Sequence, residues 1–149
     1  MAPDIEALAA RIGEEIGTGE WYRVAQERID AFADATEDHQ WIHQAGRAAE
    51  HGPFGGPIAH GFLTLSLLWR LTEGIPSPLG DPQMVVNYGL DKVRFITPVP
   101  AGSRIRARVA LADVSPVEGG VQMKQAVTIE LEGAERPAAY VESLTRIYD

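Results

Sequence analysis

Residues 58–72 read IAHGFLTLSLLWRLT, and Arg70 is the only residue among them carrying a full charge. The run is too short to span a membrane, which takes about 20 apolar residues, and too long for an ordinary strand. A helix apolar on every face is a buried helix, so the spacing predicts one over 58–72 with the rest of the fold wrapped around it. Pro57, at the end of the Gly/Pro-rich loop 44–57, suits the first turn of that helix.

The following sequence supplies the wrapping. After a loop at 74–82 come four strand-like runs, at 84–97, 103–114, 121–132 and 137–147. Turn signals separate them: Pro98-Val99-Pro100-Ala101-Gly102, Glu118-Gly119-Gly120 and Gly133-Ala134-Glu135. Arg104, Arg106 and Arg108 alternate with Ile105, Ala107 and Val109 in a period of two. Upstream, Ile5, Leu8, Ala9 and Ile12 mark a short helix with Asp4 as its N-cap, 19–27 reads as a strand, and 30–37 as a helix capped by Asp30. The expected fold is therefore α+β: a five-stranded antiparallel sheet around one central buried helix, with a short N-terminal helix. Residues 1–149 are expected to form a single domain, with no repeats or low-complexity tracts.

Composition narrows the function classes. The 149 residues carry a net charge of −8, which leaves no fold-wide basic footprint for nucleic acid. There is no cysteine, which excludes a disulfide framework, a thiolate metal site and a cysteine nucleophile. The N-terminal MAPDIEALAARIGEEIG has no basic region followed by an apolar one, so it is expected to be mature structure in a cytoplasmic protein with no membrane partner. Residues 92–108 contain Lys92, Arg94, Arg104, Arg106 and Arg108 and no acid. Such a local positive band could meet a polyanionic nucleotide carrier, or could be a solvated strand face.

Ionisable groups concentrate in Asp38-His39-Gln40-Trp41-Ile42-His43. A carboxylate beside an imidazole can activate water, since the imidazole titrates near neutrality. Their five-residue spacing needs a helix end or loop to bring them together, and an Asp and a His in a loop are more often simply solvated. Gly61 stands near the start of the apolar helix, where free backbone N–H groups can polarise a carbonyl, or where a glycine merely permits close packing. His39 and His43 have a helical i, i+4 spacing that can chelate zinc, but no HExxH motif accompanies them, and no metal is expected. Ser66 lacks a GxSxG elbow and is expected to bond back to its own helix.

FADATEDHQWIH at 32–43, Ala49 and GPIAHGFLTLSLL at 56–68 together resemble the MaoC-like dehydratases of the hot-dog fold, which include the (R)-specific enoyl-CoA hydratases. NYGLDKVRFITPVPAGSRIRARVAL at 87–111 strengthens the likeness, which is nearest to the nodulation-protein-N-like branch. The family pattern runs aromatic, Asp-x-Asn-Pro-apolar-His, then a small residue. Phe32, Asp38, Ile42, His43 and Ala49 match it, while Glu37 replaces the usual Gly and Gln40-Trp41 the usual Asn-Pro.

The resemblance implies reversible syn addition of water to a trans-2-enoyl thioester, giving an (R)-3-hydroxyacyl thioester. Asp38 and His43 would be the catalytic pair and the Gly61 N–H the oxyanion donor. Trp41, His60, Asn87, Tyr88, Lys92 and Arg94 are further candidates for substrate contact, with His60 expected chiefly to orient the turn. The resemblance implies no cofactor, coenzyme A being part of the substrate, an acyl-CoA or acyl-carrier thioester as partner, and a homodimer. A hot-dog acyl-CoA thioesterase and a non-catalytic acyl-thioester-binding subunit are the alternatives, and Trp41 could wall the pocket or block it.

Overall fold

A computed structural model describes residues 4–148. Helix α1 (Ile5–Ala9) starts as expected, with the Asp4 side chain accepting from the Ala7 N–H. The strand expected over 19–27 shrinks to β2 (Tyr22–Arg23), because a helix takes over from residue 26, and a separate strand β1 (Glu15–Thr18) precedes it; both are antiparallel to β4 (Arg104–Val117). Gly19 lies between them, and a Cβ there would sit 2.1 Å from the Leu71 carbonyl oxygen. Only a glycine lets the chain pass so close to the central helix.

With β3 (Met84–Phe95), β5 (Gly120–Leu131) and β6 (Ala139–Tyr148), the sheet has six strands rather than the expected five. Its order is β1-β4-β5-β6-β3, with β2 also on β4, and all pairings are antiparallel. The four long strands lie within about three residues of their expected limits, because period-two alternation is a local signal.

Helix α2 (Gln26–Thr36) begins four residues before the expected 30–37. Asp30 is therefore inside the helix, accepting from Gln26 Nε2, and does not cap it. The Gly/Pro-rich loop holds a short helix α3 (Arg47–Glu50).

The central helix departs from expectation in two ways. It starts at Gly61, because Ile58 bridges Pro100 and the Ala59 N–H donates to the Val99 carbonyl, which holds 58–60 extended against the sheet. It is also two pieces, α4 (Gly61–Ser66) and α5 (Leu68–Thr72), joined at Leu67. The Ser66 hydroxyl donates back to the Phe62 carbonyl at 2.7 Å, the i−4 bond expected for it and one that bends helices.

Leu63 and Leu71 pack into the main core with Ile105, Val109, Val127, Ile129 and Val141 from β4, β5 and β6. A second face is not buried in the single chain: Phe62 is 68% and Trp69 73% exposed. A sheet on one side covers one helical face, so uniform apolarity overstates how much of the helix this chain itself buries. Among the described residues no helix is long and apolar enough to cross a membrane.

Candidate active site

Helix α2 ends at Glu37, the only non-glycine residue with positive φ among the described residues (φ 62°, ψ 22°). That left-handed residue turns the chain so that Asp38 leaves the helix axis. A single 3-10 turn, Trp41–His43, follows and points His43 inward. The five-residue spacing thus becomes a convergence, which a continuous helix would have prevented.

His43 is buried, and its Nδ1 lies 2.7 Å from the Ile58 carbonyl oxygen. A carbonyl only accepts, so Nδ1 carries the proton and Nε2 keeps its lone pair. The same extended stretch that delays the helix therefore sets the tautomer of His43. Gln26 Nε2 donates to the His43 carbonyl at 2.9 Å and ties this turn to α2.

His60 is 2% exposed, and its Nε2 donates to the Asp38 backbone carbonyl at 3.0 Å. The same nitrogen is 4.0 Å from the Asp38 carboxylate. Its ring stacks on His43, centroids 3.7 Å apart, with Phe32 tilted against it at 5.0 Å. His60 is thus bonded to the turn that carries Asp38 and also belongs to the cluster itself. Its Nδ1 is buried without a partner.

Ligating atoms of Asp38, His43 and His60 lie within 4.8 Å of one another, the one such group among the described residues that could hold a metal ion. The two rings are only 23° from parallel, so their in-plane lone pairs run side by side and converge poorly on one ion. One nitrogen of each is already committed to a carbonyl. The donor set suits proton handling better than metal binding. The other two histidines lie apart: His39 pairs with Asp34 at 3.7 Å, and His51 is exposed. His39 precedes the 3-10 turn and shares no continuous helix with His43, so the i, i+4 chelate does not form.

Gly61 opens α4 directly after His60. The Gly61 and Phe62 N–H groups meet no backbone acceptor among the described residues. A Cβ at Gly61 would lie 2.9 Å from the Phe95 ring, so the glycine permits close packing there. Nothing in the sequence links Phe95, at the end of β3, to position 61.

A cavity of about 860 Å³ opens between α4–α5 and the inner face of β3, β5 and β6. Asn87 and Tyr88 line it. Asp38, His43, His60 and Gly61 do not. The connection runs along α4, where the cavity-lining Leu65 stands one turn beyond Gly61 on the same helical face. Trp41 is about half exposed and lines neither the cavity nor the cluster.

Lys92 lies over the Tyr140 ring, and Arg94 is exposed, its guanidinium donating to the Val93 carbonyl. In the register of β3 with β6 they oppose Glu142 and Tyr140, on the sheet face away from the cavity. Arg104 pairs with Glu132, and Arg106 and Arg108 with Glu130, so that stretch of the basic band is largely neutralised on the sheet's outer face. The Arg104 guanidinium is held above its ordinary range, chiefly by its hydrogen bond to Glu132.

A family model described as "MaoC like domain" matches residues 7–133. "3-Hydroxyacyl-thioester dehydratase Z" of Mycobacterium tuberculosis is 48% identical over 140 residues, covering 93% of this chain and 92% of that protein. "Nodulation protein N" of Rhizobium leguminosarum bv. viciae is 48% identical over 144 residues, covering 94% and 88%. The solved structure of an (R)-hydratase from A. caviae superposes with a TM-score of 0.71 at 24% identity, over 89% of this chain and 95% of that one. The antiparallel sheet against a central helix is thus the hot-dog fold.

Proposed function

The chain belongs to the MaoC-like domain family, and from that premise we propose that it is a hydro-lyase, an (R)-specific enoyl-CoA hydratase/dehydratase. The observation that carries this reading is the convergence of the Asp38 carboxylate on His43, whose Nδ1–H is tied to the Ile58 carbonyl and whose Nε2 is free to accept a proton. The 48%-identical relative named as a 3-hydroxyacyl-thioester dehydratase points to the same chemistry.

In the proposed reaction Asp38 and His43 Nε2 hold a water against the β-carbon of a trans-2-enoyl thioester. One of them takes a proton as the water oxygen bonds to that carbon. The electron pair of the double bond moves towards the thioester carbonyl, where the Gly61 N–H steadies the developing oxyanion. Return of a proton to the α-carbon on the same face completes a syn addition and gives the (R)-3-hydroxyacyl thioester. The step is redox-neutral and every proton is carried by groups of this chain, so no cofactor enters. Lys92 and Arg94 are the proposed contacts for the carrier's phosphates. Charged acyl thioesters are intracellular metabolites, and the proposed setting is cytoplasmic.

β3 is the end strand of the sheet, paired with β6 on one side only. Met84, Val85, Val86 and Leu90 on it are exposed. An edge of this length and apolarity invites strand pairing, and we propose a twofold homodimer through β3.

The test is loss of the enoyl-thioester absorbance of crotonyl-CoA beside a free-thiol assay. Loss of the band without thiol release supports the reading. Thiol release would make the protein a thioesterase, and no change with enoyl-CoAs of any length would leave an acyl-binding subunit.

A further inference from the structure

The inner faces of β5 and β6 are apolar along most of their length. Val121, Met123, Val127, Ile129 and Leu131 of β5 are buried, as are Ala139, Val141 and Ile147 of β6. Continuing the same alternation places Gln125, Ser143 and Thr145 on that face. Gln125 stands directly opposite Ser143 in the ladder, and Thr145 directly opposite Asn87 of β3. All four line the cavity beneath α4 and α5. They form one contiguous polar patch on the floor of a site whose walls include Leu65 and Trp69.

Thr145 Oγ1 is buried with no hydrogen-bond partner. Polar groups on a core face cost stability unless something pairs with them, and Gln125, Ser143 and Asn87, which line the cavity, call for a partner that enters it, whereas Thr145 Oγ1 has no accessible surface and lies out of its reach. Ordered water would answer part of that need, but the size of the space points further. At about 860 Å³ the half-open space lies within the range of pockets that take drug-sized ligands. A four-carbon acyl group would leave most of it unfilled, and an unbranched alkyl chain would leave the patch unpaired.

We propose that this cavity receives the acyl part of the substrate, and that the acyl group is bulky and carries a hydroxyl beyond the thioester, bonded by Gln125, Ser143 and Asn87. Each of these side chains can both donate and accept, as a hydroxyl partner requires. The inference rests on the hydratase reading for the thioester end. Leu65 supplies the continuity: it lines the cavity and stands one helical turn from Gly61, where the carbonyl is proposed to sit.

The experiment compares eight- and ten-carbon trans-2-enoyl-CoAs, each with and without a terminal hydroxyl. Hydration is followed as kcat/KM on the wild type, and binding by calorimetry on Asp38→Asn. A preference of about tenfold for the hydroxylated chains is expected in both readouts, the scale of one net hydrogen bond. The double variant Gln125→Leu/Ser143→Ala should reverse it, and Ser143→Thr, which keeps the hydroxyl, should retain it. Equal or better use of the plain chains by the wild type would overturn the proposal, as would a hydroxyl preference that survives the double variant. Wild-type turnover of crotonyl-CoA is measured alongside. If no enoyl-CoA, crotonyl-CoA included, is hydrated, the hydratase reading fails, and the calorimetry still decides whether the cavity selects hydroxylated chains.

Discussion

The imidazoles of His43 and His60 stack face to face, 3.7 Å between centroids and 23° from parallel. Each ring donates from one nitrogen to a backbone carbonyl, His43 to Ile58 and His60 to Asp38. The second bond fixes the turn that carries the Asp38 carboxylate. His60→Phe keeps a ring in the stack and removes that donor. The expected result is a drop in kcat of about tenfold, the scale of one net hydrogen bond, with a smaller change in KM. Steady-state kinetics beside a melting curve separates this positioning role from a general loss of fold.

Asp38→Asn and His43→Ala remove the proposed acid–base groups themselves. Each should lower kcat by about 10²- to 10⁴-fold, the usual contribution of a positioned proton-transfer group. A variant retaining more than about a tenth of wild-type turnover of crotonyl-CoA would remove that residue from the catalytic pair.

At Gly61 packing and chemistry can be separated. Gly61→Ala places a methyl 2.9 Å from the Phe95 ring, an overpacking that should cost about 1–3 kcal/mol. The N–H survives the substitution. Activity lost in Gly61→Ala should therefore return when Phe95→Ala makes room. A double variant as inactive as the single one would place the requirement for glycine in the site rather than in the contact.

Glu37 holds a left-handed conformation at φ 62°, where the family pattern has glycine. A side chain there costs about 1–2 kcal/mol, and glycine returns about 0.5–1 kcal/mol of that as unfolded-state entropy. Glu37→Gly should stabilise the protein by about 0.5–1 kcal/mol and raise its melting temperature by about 2 °C. Calorimetric melting measures it, and a fall in melting temperature would contradict the strain argument.

On the outer face of the sheet Lys124 bridges Asp91 of β3 at 2.9 Å and Glu142 of β6 at 3.5 Å. Its ammonium is held above the ordinary lysine range, chiefly by the hydrogen bond to Asp91. A base whose folded pKa is raised contributes stability that is complete below the unfolded-state value and is lost as pH rises through the folded one. Lys124→Met should therefore speed hydrogen exchange in β3 at neutral pH and flatten the alkaline fall in stability. Identical alkaline melting of both proteins would show that the bridge contributes nothing.

The proposed dimer predicts a sedimenting mass twice the 16.2 kDa of the chain. Val86→Asp, near the start of β3 on the exposed edge, brings a charge to the joined edges and should yield monomer. A monomeric wild type at micromolar concentration would remove the β3 interface.

Local periodicity determined much of this protein. The four long strands, the N-terminal helix with its Asp4 cap, and the central apolar segment follow from alternation, capping and hydropathy, which are short-range properties. Asp38, His43 and Gly61 were legible as residue types in a spaced pattern, and the likeness of 32–68 to a known family joined them. The tertiary structure decided what depends on distant partners. Pro100 and Val99 hold Ile58 and Ala59 extended, which moves the helix start to Gly61 and presents the carbonyl that sets the His43 tautomer. The stack of His60 on His43 and the closeness of Phe95 to Gly61 arise the same way, because chain separation carries no distance information. The polar patch lies between these cases. Gln125, Ser143 and Thr145 break an apolar phase that the sequence displays, but only the ladder register places them side by side, and only the packing of α4 and α5 leaves a cavity above them.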